Sequence, residues 1–166
     1  GVMTLRIEND GTPIKMSFEP ELPLGAKTRS ARIGGRDIAV SLVEQQQDTH
    51  ARVELDVPRG ETVLCVDYTG GVAIVPAAPR PVVAGASRAM KVVGVNLKDR
   101  VYTIQLDHTG SETTRVELRT PWKIEDVQGA TFETLRPSSY NLEIGASPSE
   151  QRGYRRSKVM VKFATE

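Results

Sequence analysis

A chain of 166 residues, 39% of them hydrophobic, carries enough apolar side chain for one domain of ordinary size or two small ones, and needs neither metal nor disulfide to fold. Its 22 basic and 21 acidic side chains cancel to a net charge of +1, so no overall field draws it to nucleic acid or to an anionic membrane. Cys65 is the only cysteine, which excludes an internal disulfide and a multi-cysteine zinc site and leaves the compartment open.

Met3, Leu5 and Ile7 alternate with Thr4, Arg6 and Glu8, the period of a half-buried strand. Asn9-Asp10-Gly11 turns it, and Ile14, Met16 and Phe18 resume the alternation, so residues 3–18 read as a hairpin. Pro20 and Pro23 lack the ladder N–H and make 19–25 an irregular crossing between sheet edges. Residues 27–33 and 37–43 form a second hairpin about Gly34-Gly35, followed by a polar connection over 45–50. Val53, Leu55 and Val57 mark a further strand, Pro58-Arg59-Gly60-Glu61 turns it, and Leu64, Val66 and Tyr68 line the next, which Gly70-Gly71 ends.

Residues 75–87 hold three of the ten prolines and read as an extended linker or crossover. Strand signals return at 90–97, turn at Lys98-Asp99 and run back over 101–106, with Tyr102, Ile104 and Leu106 on one face. Short strands follow over 113–119, 124–127, 131–135 and 140–144, then a polar loop over 147–153 and a last strand over 158–163. No window carries the spacing and caps of a globular helix. The fold class is therefore all-β, an antiparallel β-sandwich architecture of about twelve strands. It divides into two β-rich lobes, residues 1–75 and 89–166, joined by a Pro/Ala-rich linker or crossover over 76–88.

No apolar run approaches the ~20 residues of a membrane helix, and no charged region followed by an apolar one opens the chain, so neither a span nor a signal peptide is expected. Gly1-Val2-Met3 enters a strand pattern almost at once, as in a mature or excised piece of a longer polypeptide.

Phe18-Glu19-Pro20-Glu21-Leu22-Pro23-Leu24-Gly25-Ala26-Lys27, Ile33-Gly34-Gly35-Arg36, Gln47-Asp48-Thr49-His50-Ala51 and Val66-Asp67-Tyr68-Thr69-Gly70-Gly71 resemble the β-rich C-terminal accessory region of bacterial multidomain glycoside hydrolases. The second half is similar to it in the order of Arg119-Thr120-Pro121, Val127-Gln128-Gly129-Ala130 and Gly153-Tyr154-Arg155-Arg156. The resemblance covers nearly the whole chain and rests on turn and strand patterns. It implies a non-catalytic module, a catalytic domain elsewhere in the same polypeptide as its partner, carbohydrate as a second partner, and a secreted or periplasmic location.

Asp48 and His50 stand two apart and share a side of an extended backbone, as a carboxylate orienting an imidazole requires. No serine or cysteine nucleophile motif accompanies them, so they read as a loop pair to inspect, and a small hydrolase built on them is the weakest of three functions. Asp107 and His108 are adjacent and face opposite ways, and two histidines make no zinc set; no metal and no cofactor are expected. Glu19 and Glu21 have the spacing of a glycosidase pair but lie in a proline-broken surface segment, and Cys65 reads as an inert thiol. Sugar-binding sandwiches stack pyranose rings on exposed aromatics. Trp122 and Tyr154, outside the regular apolar alternation, are the candidates for that role, although a Trp at a strand boundary also plugs a sandwich rim. Arg152, Arg155, Arg156 and Lys158 form one dense basic run, read as a solvated loop or a contact to an acidic neighbouring domain rather than a nucleic-acid site. The leading function is an accessory β-sandwich module, which predicts an exposed apolar patch; the second is an independent carbohydrate-binding module.

Overall fold

The computed structural model describes residues 1–45, 47–76, 90–110, 112–146 and 154–165, and all its regular structure is antiparallel strand. The chain divides after Gly71 into two compact units. Most of the linker expected over 76–88, and the polar loop over 147–153, lie outside the described residues.

The first unit holds β1 (Val2–Asn9), β2 (Ile14–Phe18), β3 (Glu21–Leu22), β4 (Leu24–Ile33), β5 (Arg36–Ile38), β6 (Ser41–Gln45), β7 (Asp48–Val57) and most of β8 (Gly60–Pro76). In one sheet β8 runs between β1 and β4, with β5 outside β4; in the other, β2, β3 and β6 all pair with β7. The alternation read in β7 is realised residue by residue, with Thr49, Ala51, Val53, Leu55 and Val57 buried and Asp48, Arg52, Glu54 and Asp56 exposed. Val53 and Leu55 meet Leu64 and Val66 of β8 and Ala26 and Ala31 of β4 in one apolar core, with Met3, Leu5, Met16 and Phe18 packed against it. Truncating Leu64, 1% exposed, to Ala would cost about 2–5 kcal/mol in lost transfer energy and cavity.

One expected hairpin is a corner instead, and one expected strand breaks at another corner. β1 pairs with β8 and β2 with β7, so residues 3–18 change sheets at Asn9-Asp10-Gly11. The Asn9 side chain explains it. Its oxygen accepts from the Gly11 N–H at 3.0 Å, and its amide donates to the carbonyls of Thr12, Val57 and Pro58, fastening this corner to the one between β7 and β8. The expected strand over 37–43 splits into β5 and β6, which also lie in different sheets. Gly34-Gly35, with φ of 54° and 83°, does close a two-residue hairpin in which Ile33 faces Arg36. The proline-bounded segment 19–25 contains β3, where Glu21 pairs with His50.

Gly70-Gly71 does not end β8: both glycines take positive φ, and the strand continues to Pro76. Val72–Pro76 belongs to the second unit and pairs with β11 (Thr114–Arg119), followed outward by β14 (Ser139–Ile144) and β13 (Thr131–Arg136). The unit's other sheet runs β12 (Ile124–Gln128), β15 (Tyr154–Phe163), β10 (Val101–Thr109), β9 (Lys91–Lys98). Asp99 and Arg100, at φ 50° and 62°, make the two-residue turn between β9 and β10. Val116, Leu118, Leu142 and Ile144 of one sheet and Tyr102, Ile104, Leu106, Val159, Val161 and Phe163 of the other are buried. A hydrogen bond between Thr114 and His108 at 3.1 Å joins the sheets through the interior.

Candidate functional site

On β7, Asp48, His50 and Arg52 do share the outer side of the strand. His50 Nδ1, however, lies 3.1 Å from the Glu19 carbonyl, and Arg52 Nε donates to the Glu19 carboxylate at 2.6 Å. That bond, ahead of the attraction of the Arg52 charge, holds the Glu19 carboxyl below the usual carboxylate range. Asp48 makes no side-chain hydrogen bond or ion pair among the described residues. The histidine is thus tied to backbone, and its carboxylate neighbour stands apart from it. Glu19 serves Arg52, while Glu21 sits in the ladder beside His50.

His108 is 1% exposed and faces inward with Tyr102, Ile104 and Leu106, so it lies on the opposite side of β10 from Asp107, as adjacent strand residues must. Its Nε2 meets Ser157 Oγ at 2.8 Å, and its Nδ1 meets Thr114 Oγ1 at 3.1 Å and the Thr109 carbonyl at 3.3 Å. Cys65 is partly buried, with Thr4 Oγ1 4.0 Å from its sulfur. Among the described residues no group of three or more His, Cys, Asp or Glu side chains could hold a metal ion.

Trp122 is half-buried, and its ring meets that of the buried Phe163 edge-on at 5.2 Å between centroids. The backbone N–H of Trp122 donates to Thr120 Oγ1 at 3.2 Å, fixing the step after Pro121. Tyr154 is placed differently. It opens β15 and is 43% exposed, on the side of the strand that carries Arg156, Lys158, Met160 and Lys162.

Registers across three strands lay out this outer face. Tyr154 pairs with Thr109; Lys91, Asp107 and Arg156 form the next row, and Gly94, Gln105 and Lys158 the row beyond. Lys91 Nζ stands over the Tyr154 ring, 4.9 Å from its centroid. Arg156 grips Asp107 with two parallel bonds, Nε and Nη2 donating at 2.8 and 3.0 Å. Those bonds hold the Asp107 carboxyl below its ordinary range, with Lys91 and His108 adding smaller effects. The rows place an aromatic ring, three cations, an amide and one neutralised carboxylate on one sheet face, with a bulge in β9 between the Lys91 and Gly94 rows. Arg156 and Lys158 belong to the basic run of the sequence. Lys91, Gln105 and Asp107 join them only through strand register, although Asp107, Gln105 and Thr103 alternate with buried Leu106, Ile104 and Tyr102.

A second polar assembly lies on β11, where Arg119, Arg136 and Ser139 all donate to Glu117. These bonds, Arg119 first, lower the Glu117 carboxyl from 4.5 to about 2. No family model, curated protein or solved structure matches the chain.

Proposed function

We propose that the chain is a non-catalytic accessory β-sandwich module of a larger, glycoside hydrolase-like polypeptide, and that it packs against the catalytic domain of that polypeptide. The observation that carries this reading is β13. It is the outermost strand of its sheet, it is exposed at every residue, and it holds Phe132 and Leu135 at 43% and 54% exposure. Phe132 meets Tyr140 edge-on at 6.4 Å, so the apolar surface extends onto β14. An outermost strand offers unpaired backbone groups, and large apolar side chains on it mark a surface meant to be covered. The test is hydrogen exchange of the 166-residue chain alone and within the polypeptide of the full reading frame. Protection of the β13 amides in the longer protein is expected; equal exchange in both would reject the reading.

A second reading, carbohydrate binding by the module itself, is favoured by Tyr154. An exposed ring at the head of a sheet face lined with Gln105, Thr109 and charged side chains combines an apolar platform with hydrogen-bonding groups around it, as stacking of a pyranose requires. Glycan-array binding that disappears in Tyr154→Ala and survives in Trp122→Phe supports this reading.

A further inference from the structure

We infer that the outer face of β9, β10 and β15 binds an acidic polysaccharide, one whose pyranose rings carry carboxylates, with Tyr154 as the ring platform and Lys91, Arg156 and Lys158 as the cations that select the charge. This rests on the carbohydrate-binding reading and adds the class of sugar. The placement is fixed by strand register rather than by loops: Lys91, Asp107 and Arg156 stand in one row across three paired strands, and Lys158 opens the next row on the same side. The only carboxylate in these rows, Asp107, is already held by the bidentate Arg156. Lys158 has no ion-pair partner among the described residues, and Lys91 is held over the tyrosine ring rather than in an ion pair.

The surplus of positive charge on this patch contrasts with a chain whose net charge is only +1. A neutral glycan would leave Lys91 and Lys158 without a counter-charge while burying them, whereas a ring-borne carboxylate supplies one beside the platform. Gly94 stands opposite Gln105 and presents no side chain, and the bulge beside it leaves Val93 45% exposed between the two rows. The pairing of Lys91 with Tyr154 orders both side chains before the ligand arrives, which reduces the entropy lost on binding.

The test uses the whole chain and immobilised polygalacturonate, its fully methyl-esterified form, and poly-L-glutamate, with affinity electrophoresis or calorimetry as readout. Retention by polygalacturonate is expected, weakened at least tenfold by esterification, by Tyr154→Ala and by Lys91→Ala, and weakened by salt. Lys162→Ala, at the far end of β15, is expected to bind as the unaltered chain does. Circular dichroism on each variant separates loss of binding from loss of fold. Equal retention by poly-L-glutamate would show generic polyanion binding and overturn the inference. Retention of the esterified polymer that is lost in Tyr154→Ala would overturn the acidic class and keep carbohydrate binding. Retention of none of the three polymers would overturn the inference, and an empty array of neutral glycans besides would remove the reading beneath it.

Discussion

His108 Nε2 and Ser157 Oγ meet at 2.8 Å inside the second unit, a nucleophile-and-base distance used for structure. Thr114 of the opposite sheet meets the other ring nitrogen, so the imidazole bridges the two layers of the sandwich, and among the described residues no carboxylate bonds to it.

Replacing His108 by Leu should therefore unfold the second unit more readily, by about 2 kcal/mol or more, because Ser157 and Thr114 lose a partner and the apolar side chain cannot replace the bridge. Thr114→Ala alone should cost about 1 kcal/mol. Urea titrations of the singles and of the double variant measure the coupling. Additive effects would show that the bridge is not a unit.

Acid should weaken the protein partly through Glu117. Its carboxyl is lowered from 4.5 to about 2 in the folded chain, so the folded state keeps it ionised where the unfolded chain would protonate it. The stabilisation is complete above about pH 4.5 and disappears as pH falls towards 2. Asp67, whose Ser30 and Arg32 bonds lower it, acts in the same direction. Glu117→Gln should flatten the melting temperature between pH 6 and pH 2 relative to the unaltered chain; parallel curves would contradict the assignment.

Three glycines with similar φ should respond differently to Ala. A Cβ on Gly35, at φ 83°, meets nothing within 4 Å, so only the backbone preference is lost, about 1 kcal/mol. A Cβ on Gly71 would stand 2.8 Å from the Pro23 Cβ and 2.9 Å from the Ala26 Cβ, and one on Gly129 would press into the Lys158 carbonyl. Those two substitutions should cost clearly more, on the order of 3 kcal/mol. Thermal melts that rank Gly35→Ala with the other two would reverse this expectation.

Trp122 and Tyr154, alike in sequence setting, should separate by stability. Trp122→Ala removes the edge-on contact with Phe163 and should cost about 2 kcal/mol, with a loss of the only tryptophan signal. Tyr154→Ala should cost less, about 1 kcal/mol, with the cation–π contact to Lys91 lost. Urea denaturation followed by far-ultraviolet circular dichroism reads both.

Alternation made the strands legible: Val53, Leu55 and Val57 point inward as their spacing requires, and so do Tyr102, Ile104 and Leu106. Pairing was far less legible. Turn chemistry at Gly34-Gly35 specifies a hairpin through positive φ, and the turn read at Lys98-Asp99 falls one residue later, at Asp99-Arg100. At Asn9-Asp10-Gly11 the same residue types form a corner, because the Asn9 amide finds the carbonyls of Val57 and Pro58, which are 48 and 49 positions away. The split of residues 37–43 into β5 and β6 has no periodic signal, since a strand that changes sheets keeps its alternation. The face bearing Tyr154 was legible in part: Arg156 and Lys158 stand next to it in sequence, while Lys91 and Asp107 arrive only through register.

The continuation of β8 past Gly71 also governs how the protein can be dissected. A gene cut anywhere in 77–89, where proline composition invites it, would leave Val72–Pro76 on the upstream fragment. The downstream product would begin without the strand that Ala73, Ile74 and Val75 present to β11, and Val116 and Leu118 would sit beside a bare backbone edge. Such a fragment should aggregate, and a synthetic peptide of residues 70–76 should rescue it. A soluble second unit therefore requires a fragment that starts at or before Val72.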